Sequence, residues 1–250
     1  MCFHTSQHKK VRDIEHRYGV SRTEAFEIAE NDLSAYHFNG FAHPELLIIP
    51  QQGKNKLHPA IWGIMPKTEL GLNQNDYFKK AARFGGGLNA RSEKVFDHFI
   101  YKSSIYEKRC IIPVTGFFEP HEHNKKKIPF YFKHLEEDFL SLAGIYSVTT
   151  DGFVTFTILT KKASPLFENI HNTKLRQVVL LEKDFEKEWL RNDLNEKHIN
   201  ELINMDYDNT QLETYPVSRD IFAPGINSNR SNILEKEEYL DFDYHKLINN

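Results

Sequence analysis

The chain has 250 residues, 40% of them hydrophobic, and a formal net charge of −3, a size that fits one large domain or two small ones. Its 19 Phe and 11 Tyr against 2 Trp predict a phenylalanine-rich core, and the negative sum speaks against a globally basic nucleic-acid binder. No apolar run approaches the roughly 18 residues of a membrane span, the first thirty residues hold no apolar leader stretch, and two cysteines make neither a disulfide framework nor a tetrahedral metal cluster. A cytoplasmic protein is expected, without membrane partner, metal or cofactor.

In chain order, residues 11–31 read as helix. Ser21 and Glu24 resemble a capping box there, with Ala25, Phe26, Ile28 and Ala29 as the apolar face. Residues 46–49 are a short apolar run ended by Pro50, which predicts a buried strand. Residues 51–56 read as a turn and 58–65 as a second strand, so the pair predicts a hairpin. Residues 69–84 predict loop and a short helix. The triplet Gly85-Gly86-Gly87 lacks the Lys-Ser/Thr of a phosphate loop and reads as a hinge or a close backbone approach. Residues 92–108 read as helix, with Val95, Phe96, Phe99, Ile100 and Ile105 on one face. Strands follow at 110–114, where Cys110 reads as a buried thiol, then at 117–120, 128–132, 140–148, 153–160 and 178–181. His121 and His123 belong to a solvated polar tip between two of them. Residues 184–191 and 196–205 read as helices, and 215–219 as extended chain. Strands and helices mix without a βαβ rhythm, so the predicted class is α+β with mainly antiparallel sheet.

Charge is unevenly placed. Basic groups gather at Lys9, Lys10, Arg12, Arg17 and Arg22, then at Lys79, Lys80, Arg83 and Arg91, and again at Lys161, Lys162, Lys174 and Arg176, while acidic groups crowd the last third. A local basic groove and ordinary solvated charge are both open readings.

Four stretches could carry chemistry. Cys2 is small enough for Met1 to be removed, which would leave an α-amine and a thiol on neighbouring carbons. Their reference pKa values, about 7.7–8.0 and about 8.5, leave both partly nucleophilic near neutral pH. Such a 1,2-aminothiol captures an aldehyde first as an imine and then as a thiazolidine ring. While Met1 remains, the Cys2 nitrogen is an amide and the imine cannot form; the plain alternative is an ordinary residue in a frayed terminus. Asn89 can fix a nucleophile through its amide, and Arg91 can hold a phosphate with two bonds, or the pair caps a helix. Glu119 follows two phenylalanines, where desolvation would raise its pKa toward acid/base use, or it is an edge-strand carboxylate. His171 can exchange a proton near neutral pH, or it is structural. A serine hydrolase lacks its Gly-x-Ser-x-Gly elbow.

In this order and spacing, Met1-Cys2, Asn89-Ala90-Arg91-Ser92-Glu93, Gly116-Phe117-Phe118-Glu119, the run 156–160 leading to Ile170-His171, and Pro216-Val217-Ser218-Arg219 resemble the SRAP family. These are the SOS-response-associated peptidase or abasic-site processing proteins. Trp62-Gly63-Ile64-Met65-Pro66 and Arg109-Cys110-Ile111-Ile112-Pro113 fit the same framework. The resemblance implies one domain over residues 1–250, with curved antiparallel sheets around a barrel-like core, flanking helices, and the last ~15 residues as a peripheral tail. It implies a monomeric, lyase-like DNA-damage enzyme that crosslinks through Cys2 to abasic sites in single-stranded DNA. Asn89 would hold Cys2, Glu119 and His171 would move protons, and Arg91, Arg176, His4 and Pro44 would contact DNA. Departures are visible. Phe3-His4 stand where the family has Gly-Arg, Pro120 stands for a tryptophan, Lys67-Thr68-Glu69 lack the family's tryptophans, and Arg176 matches only if extra residues follow His171. An N-terminal-cysteine peptidase that removes its own Met1 and a non-covalent single-strand binder are the alternatives.

Overall fold

The computed structural model describes residues 2–24, 28–30 and 32–248. Strand β1 (His4–Gln7) leads into helix α1 (Val11–Tyr18). Gly19 takes the left-handed conformation, φ 63°, and ends that helix. The helix predicted over 11–31 therefore stops early, and Ser21 enters strand β2 (Ser21–Arg22) instead of capping a second helical run. Of its predicted apolar face, Ile28 is buried, whereas Ala25 and Phe26 lie outside the described residues, as does Met1.

Strands β3 (Ala35–Asn39), β4 (Glu45–Pro50) and β5 (Lys56–Trp62) follow, the last two as the expected antiparallel hairpin. After helix α2 (Gln74–Ala81) and the glycine triplet, residues 89–91 form strand β6 (Asn89–Arg91). The helix predicted over 92–108 survives only as a 3-10 turn at Ser92–Lys94 and helix α3 (Lys102–Glu107), and Phe99 is exposed. Strands β7 (Arg109–Val114), β8 (Gly116–His123), β9 (Lys126–His134), β10 (Leu140–Val148) and β11 (Val154–Lys162) are antiparallel neighbours in two sheets. The remainder comprises α4 (Pro165–Ile170), β12 (Arg176–Val178), β13 (Leu180–Leu181), α5 (Glu186–Trp189), α6 (Glu196–Asn204), β14 (Leu212–Pro216) and α7 (His245–Ile248). The class is α+β, as the sequence predicts.

One sheet closes on itself. Strands β5, β4, β7, β10 and β11 are paired in turn, and β11 returns to β5 in parallel, with Thr155 opposite Ile61 and Phe156 opposite Trp62. Side chains alternate between the two faces of each strand. Leu46, Ile48, Ile112, Leu142 and Ile158 join the main core, while Leu47, Ile49, Ile111, Ala143 and Leu159 pack against α1, α5 and α6. Burial on both faces explains why these strands read as unbroken apolar runs. The second sheet has the order β14-β9-β8-β1-β3. Phe117, Phe130 and Phe132 on its one face enter the main core, and Phe118 and Tyr131 on the other pack with Val217 and Ile221. The segment read as a peripheral tail lies along α4 and β9. Tyr244 is buried in the main core, and the Leu247 carbonyl accepts from Asn169 Nδ2 at 3.1 Å.

Two polar features fix the frame. Arg109 is wholly buried and donates to the carbonyls of Ile105 (2.7 Å), Tyr106 (3.0 Å), Trp189 (2.8 Å) and Arg191. Burial pushes its guanidinium down to about 10, which leaves it charged at neutral pH. In the second sheet, His4 Nδ1 meets His37 Nε2 at 2.8 Å, and His37 Nδ1 meets Ser228 Oγ at 2.6 Å. Burial holds both imidazoles neutral, His4 down to about 3 and His37 to about 4.

Arg109→Ala strands four buried carbonyls, so chemical denaturation should show a loss on the order of 3–5 kcal/mol. An unchanged midpoint would mean those carbonyls find other donors. The histidine pair sets a pH dependence. An unfolded imidazole takes up a proton as pH falls below about 6.5 while the folded one does not, so stability is full above that pH and drops toward pH 4. His37→Gln should lose about 1–2 kcal/mol less than the natural chain between pH 7 and pH 5. Equal losses in both proteins would remove His37 as a source of the acid sensitivity.

Candidate active site at Cys2

Strand β1 positions Cys2. His4 lies opposite Phe118 and Thr5 opposite Phe117, so continuing the register backward brings Phe3 to Glu119 and Cys2 to Pro120. Cys2 is wholly buried, and its Sγ donates to the His4 carbonyl at 3.3 Å. Burial first, and then the neighbouring charge of Glu119, push the thiol well above the usual cysteine range. The resting sulfur is therefore a protonated thiol that needs a base before it can act as a nucleophile.

Asn89 reaches Cys2 from the start of β6. That strand is held in parallel register on β11, with Asn89 opposite Ile158. The glycine triplet leads into it as a close backbone approach. Gly87 has φ 70°, and a Cβ there would sit 2.7 Å from the Ile64 carbonyl oxygen. The Leu88 carbonyl accepts from the Trp62 indole at 2.9 Å, which fixes the next residue. From this footing Asn89 Nδ2 donates to the Cys2 carbonyl at 2.8 Å. Its Oδ1 is buried without a hydrogen-bond partner among the described residues.

Glu119 and His171 complete the site. Glu119 shares a face of β8 with Phe117 and lies opposite Phe130, so its side chain points into the main core and is wholly buried. His171 follows the last turn of α4, and its Nδ1 lies 2.9 Å from Glu119 Oε2. Nδ1, facing the carboxylate, is the ring nitrogen that can share a proton with it. The four residues expected to do chemistry, Cys2, Asn89, Glu119 and His171, thus meet in one place.

The expected DNA contacts fare differently. Arg91 ends β6 on the surface. Arg176 is engaged elsewhere. Its fork holds both oxygens of Glu93, at 2.7 and 3.0 Å, and Nη2 also donates to the Thr160 carbonyl at 2.8 Å. Arg176, expected to share the phosphate contact with Arg91, is thus paired with Glu93 in this structure. His4 is neutral for the reason given above and supplies no cationic contact. The Pro44 carbonyl accepts from the Trp62 amide at 2.9 Å, which ties it to the closed sheet. His121 is buried, not part of a solvated tip. The turn itself is Asn124-Lys125, both at positive φ.

A cleft of about 600 Å³ opens beside the site, lined by Phe3, His4, Phe41, Lys127, His171 and Lys174 among others. Phe3 and Phe41 pack with ring centroids 4.7 Å apart and planes tilted by 33°, and Phe41 is 59% exposed. Phe41 and Lys127 carry no sequence signal, because only the sheet order, in which β1 and β8 lie between β3 and β9, brings the end of β3 and the start of β9 to one cleft; Lys174 is visible in the sequence only as one member of a basic cluster. Among the described residues no group of three or more His, Cys, Asp or Glu could hold a metal ion, and no helix is long and apolar enough to cross a membrane.

The chain is similar to known proteins both in sequence and in fold. In sequence the chain is 31% identical over 189 residues to the abasic site processing protein YoqW of Bacillus subtilis (strain 168), covering 73% of this chain and 79% of that one. It is 23% identical over 198 residues to the abasic site processing protein HMCES of Xenopus tropicalis, covering 70% of this chain and 54% of that one. In structure, a protein from Bacteroides thetaiotaomicron superposes with a TM-score of 0.82 at 28% identity, covering 95% of this chain and all of that one (100%). A Bordetella bronchiseptica protein, at 19% identity and a TM-score of 0.67 over 87% of this chain and 100% of that one, shares the fold. The SOS response associated peptidase (SRAP) family model matches residues 1–224, from the buried cysteine through every residue of the site just described, and the chain belongs to that family.

Proposed function

We propose that this protein processes abasic sites in DNA by joining itself to them covalently through Cys2. The observation that carries the reading is the buried meeting of a cysteine held by Asn89 with the Glu119–His171 pair. The relatives, themselves abasic site processing proteins by name, support the coarser statement, abasic-site processing.

Removal of Met1 frees the Cys2 amine. An abasic sugar opens to an aldehyde, and the amine adds to its C1′ carbon to give a carbinolamine. His171 supplies the proton with which the hydroxyl leaves as water, the nitrogen returns its own proton to His171, and an imine forms. The thiol, kept protonated by its surroundings, passes its proton to the Glu119–His171 pair as Sγ adds to the same carbon. The C=N bond becomes a single bond, the nitrogen takes up a proton, and a five-membered thiazolidine closes. Aldehyde and aminothiol have then become thiazolidine and one water. Return of the proton to sulfur runs the sequence backward. Asn89 would hold the Cys2 carbonyl and offer its buried Oδ1 to the amine. Arg91, Lys127 and Lys174 would meet phosphates and Phe41 a base, which suits a single strand splayed into the cleft and makes binding weaken with salt. The reaction needs one copy of the chain and no cofactor.

The test is a single-stranded oligonucleotide with one abasic site, read as a heat-stable shifted band and by intact mass. The natural chain should give the band and have lost Met1, and Cys2→Ala should abolish it. A band undiminished in Cys2→Ala, or Met1 retained in the crosslinking protein, would sink the mechanism. Glu119→Gln should slow closure by about 10²-fold or more. Natural kinetics in both Glu119→Gln and His171→Gln would strip that pair of its role. Equal affinity for undamaged strands with no shifted band would favour non-covalent binding.

A further inference from the structure

Strand β8 carries Glu119, and it also holds the loop that carries His171. Strand β1 covers only the first part of one edge of β8, through Phe118. Farther along, Asn172 takes an edge position. Its Oδ1 accepts from the Glu122 amide at 3.0 Å, and its Nδ2 donates to the Glu122 carbonyl at 3.0 Å. One side-chain amide thus supplies the acceptor and the donor that a neighbouring strand would have supplied. On the other side of His171, the Ile170 carbonyl accepts from His121 Nδ1 at 3.0 Å. A carbonyl only accepts, so His121 Nδ1 carries the proton. His121 is itself held, with its ring 4.9 Å from that of Phe242 in the C-terminal segment. Helix α4 is six residues long and ends at His171 in a non-helical conformation, so its own hydrogen bonds do little to fix the ring.

We infer that His121 and Asn172 are positioning residues that clamp the chain on both sides of His171 to β8, and so fix His171 against Glu119. The inference rests on the proposed proton-moving role of that pair. Neither residue touches the reacting atoms; each acts through His171. A short helix end held at one point swings, whereas one held at residues 170 and 172 keeps the ring's distance to a carboxylate on the clamping strand itself. Proton transfer falls steeply with small misplacements, which is why two anchors so close to the ring matter.

Asn172 is exposed, so Asn172→Ala should fold normally, and His121→Phe keeps an aromatic ring against Phe242. Two readouts apply to the full chain. In nitrogen-15-labelled protein, the His171 Nδ1–H signal, assigned by its loss in His171→Gln, should exchange with water about three- to tenfold faster in either variant, with an unchanged melting temperature. On abasic single-stranded DNA, Asn172→Ala should slow crosslink formation by a similar factor, yet have no further effect in the His171→Gln background. Equal slowing in both backgrounds, or natural exchange and natural rate in both variants, overturns the clamp. If the natural chain forms no crosslink, the proposed function fails while the proton-exchange arm still decides on the clamp.

Discussion

One edge of β11 decides where chemistry can happen. It is shared in succession by β5 and β6, while β10 and then β12 take the other edge. Pairing with β5 closes the five-stranded ring. Pairing with β6 delivers Asn89 to the mouth of that ring, and pairing with β12 sets Arg176 within reach of Glu93. Backbone groups buried in the core must be hydrogen-bonded, so the three short partners are not interchangeable decorations. A break in any of them would leave unpaired amides and carbonyls beside the site.

The second constraint is dielectric. Cys2, Glu119 and His171 are all nearly sealed from water, and two phenylalanines neighbour the carboxylate across and along its sheet face. Charge in such a place is costly unless paired, which binds Glu119 and His171 to each other. It also keeps the sulfur as a thiol until a proton acceptor relieves it. The pair is therefore both the means by which a buried carboxylate is tolerated and the group best placed to take the sulfur's proton.

Much of this was legible in the sequence, for identifiable reasons. Strands buried on both faces write themselves as unbroken apolar runs, so residues 46–49, 110–114 and 140–148 were readable. The four site residues stood in short motifs whose order survives packing. Misreadings occurred where a tertiary partner outvoted local pattern. Gly19 turned left-handed, and Ser21 was drawn into pairing with Lys56. Residues 89–91 were taken by β11 before a helix could start. Charge was the least legible layer. Whether Arg176 is open or His4 is charged depends on Glu93 and His37, 83 and 33 positions away, and spacing in the chain carries no trace of either partner. The burial of His121 was hidden likewise, since its ring packs on Phe242, far along the chain.

The site draws on residues 2, 89, 119 and 171, and β1 pairs with a strand more than a hundred residues away. Such contacts form late, because the loops they close are long. Until they form, the sulfur of Cys2 has the acidity of any cysteine in water and reacts without choice. Folding removes that indiscriminate reactivity by taking the thiol out of water, and in the proposed reaction it returns only beside a base and a shaped cleft. The same burial that makes the nucleophile slow to ionise thus acts as a chemical safety catch, engaged by the last long-range pairing of the fold.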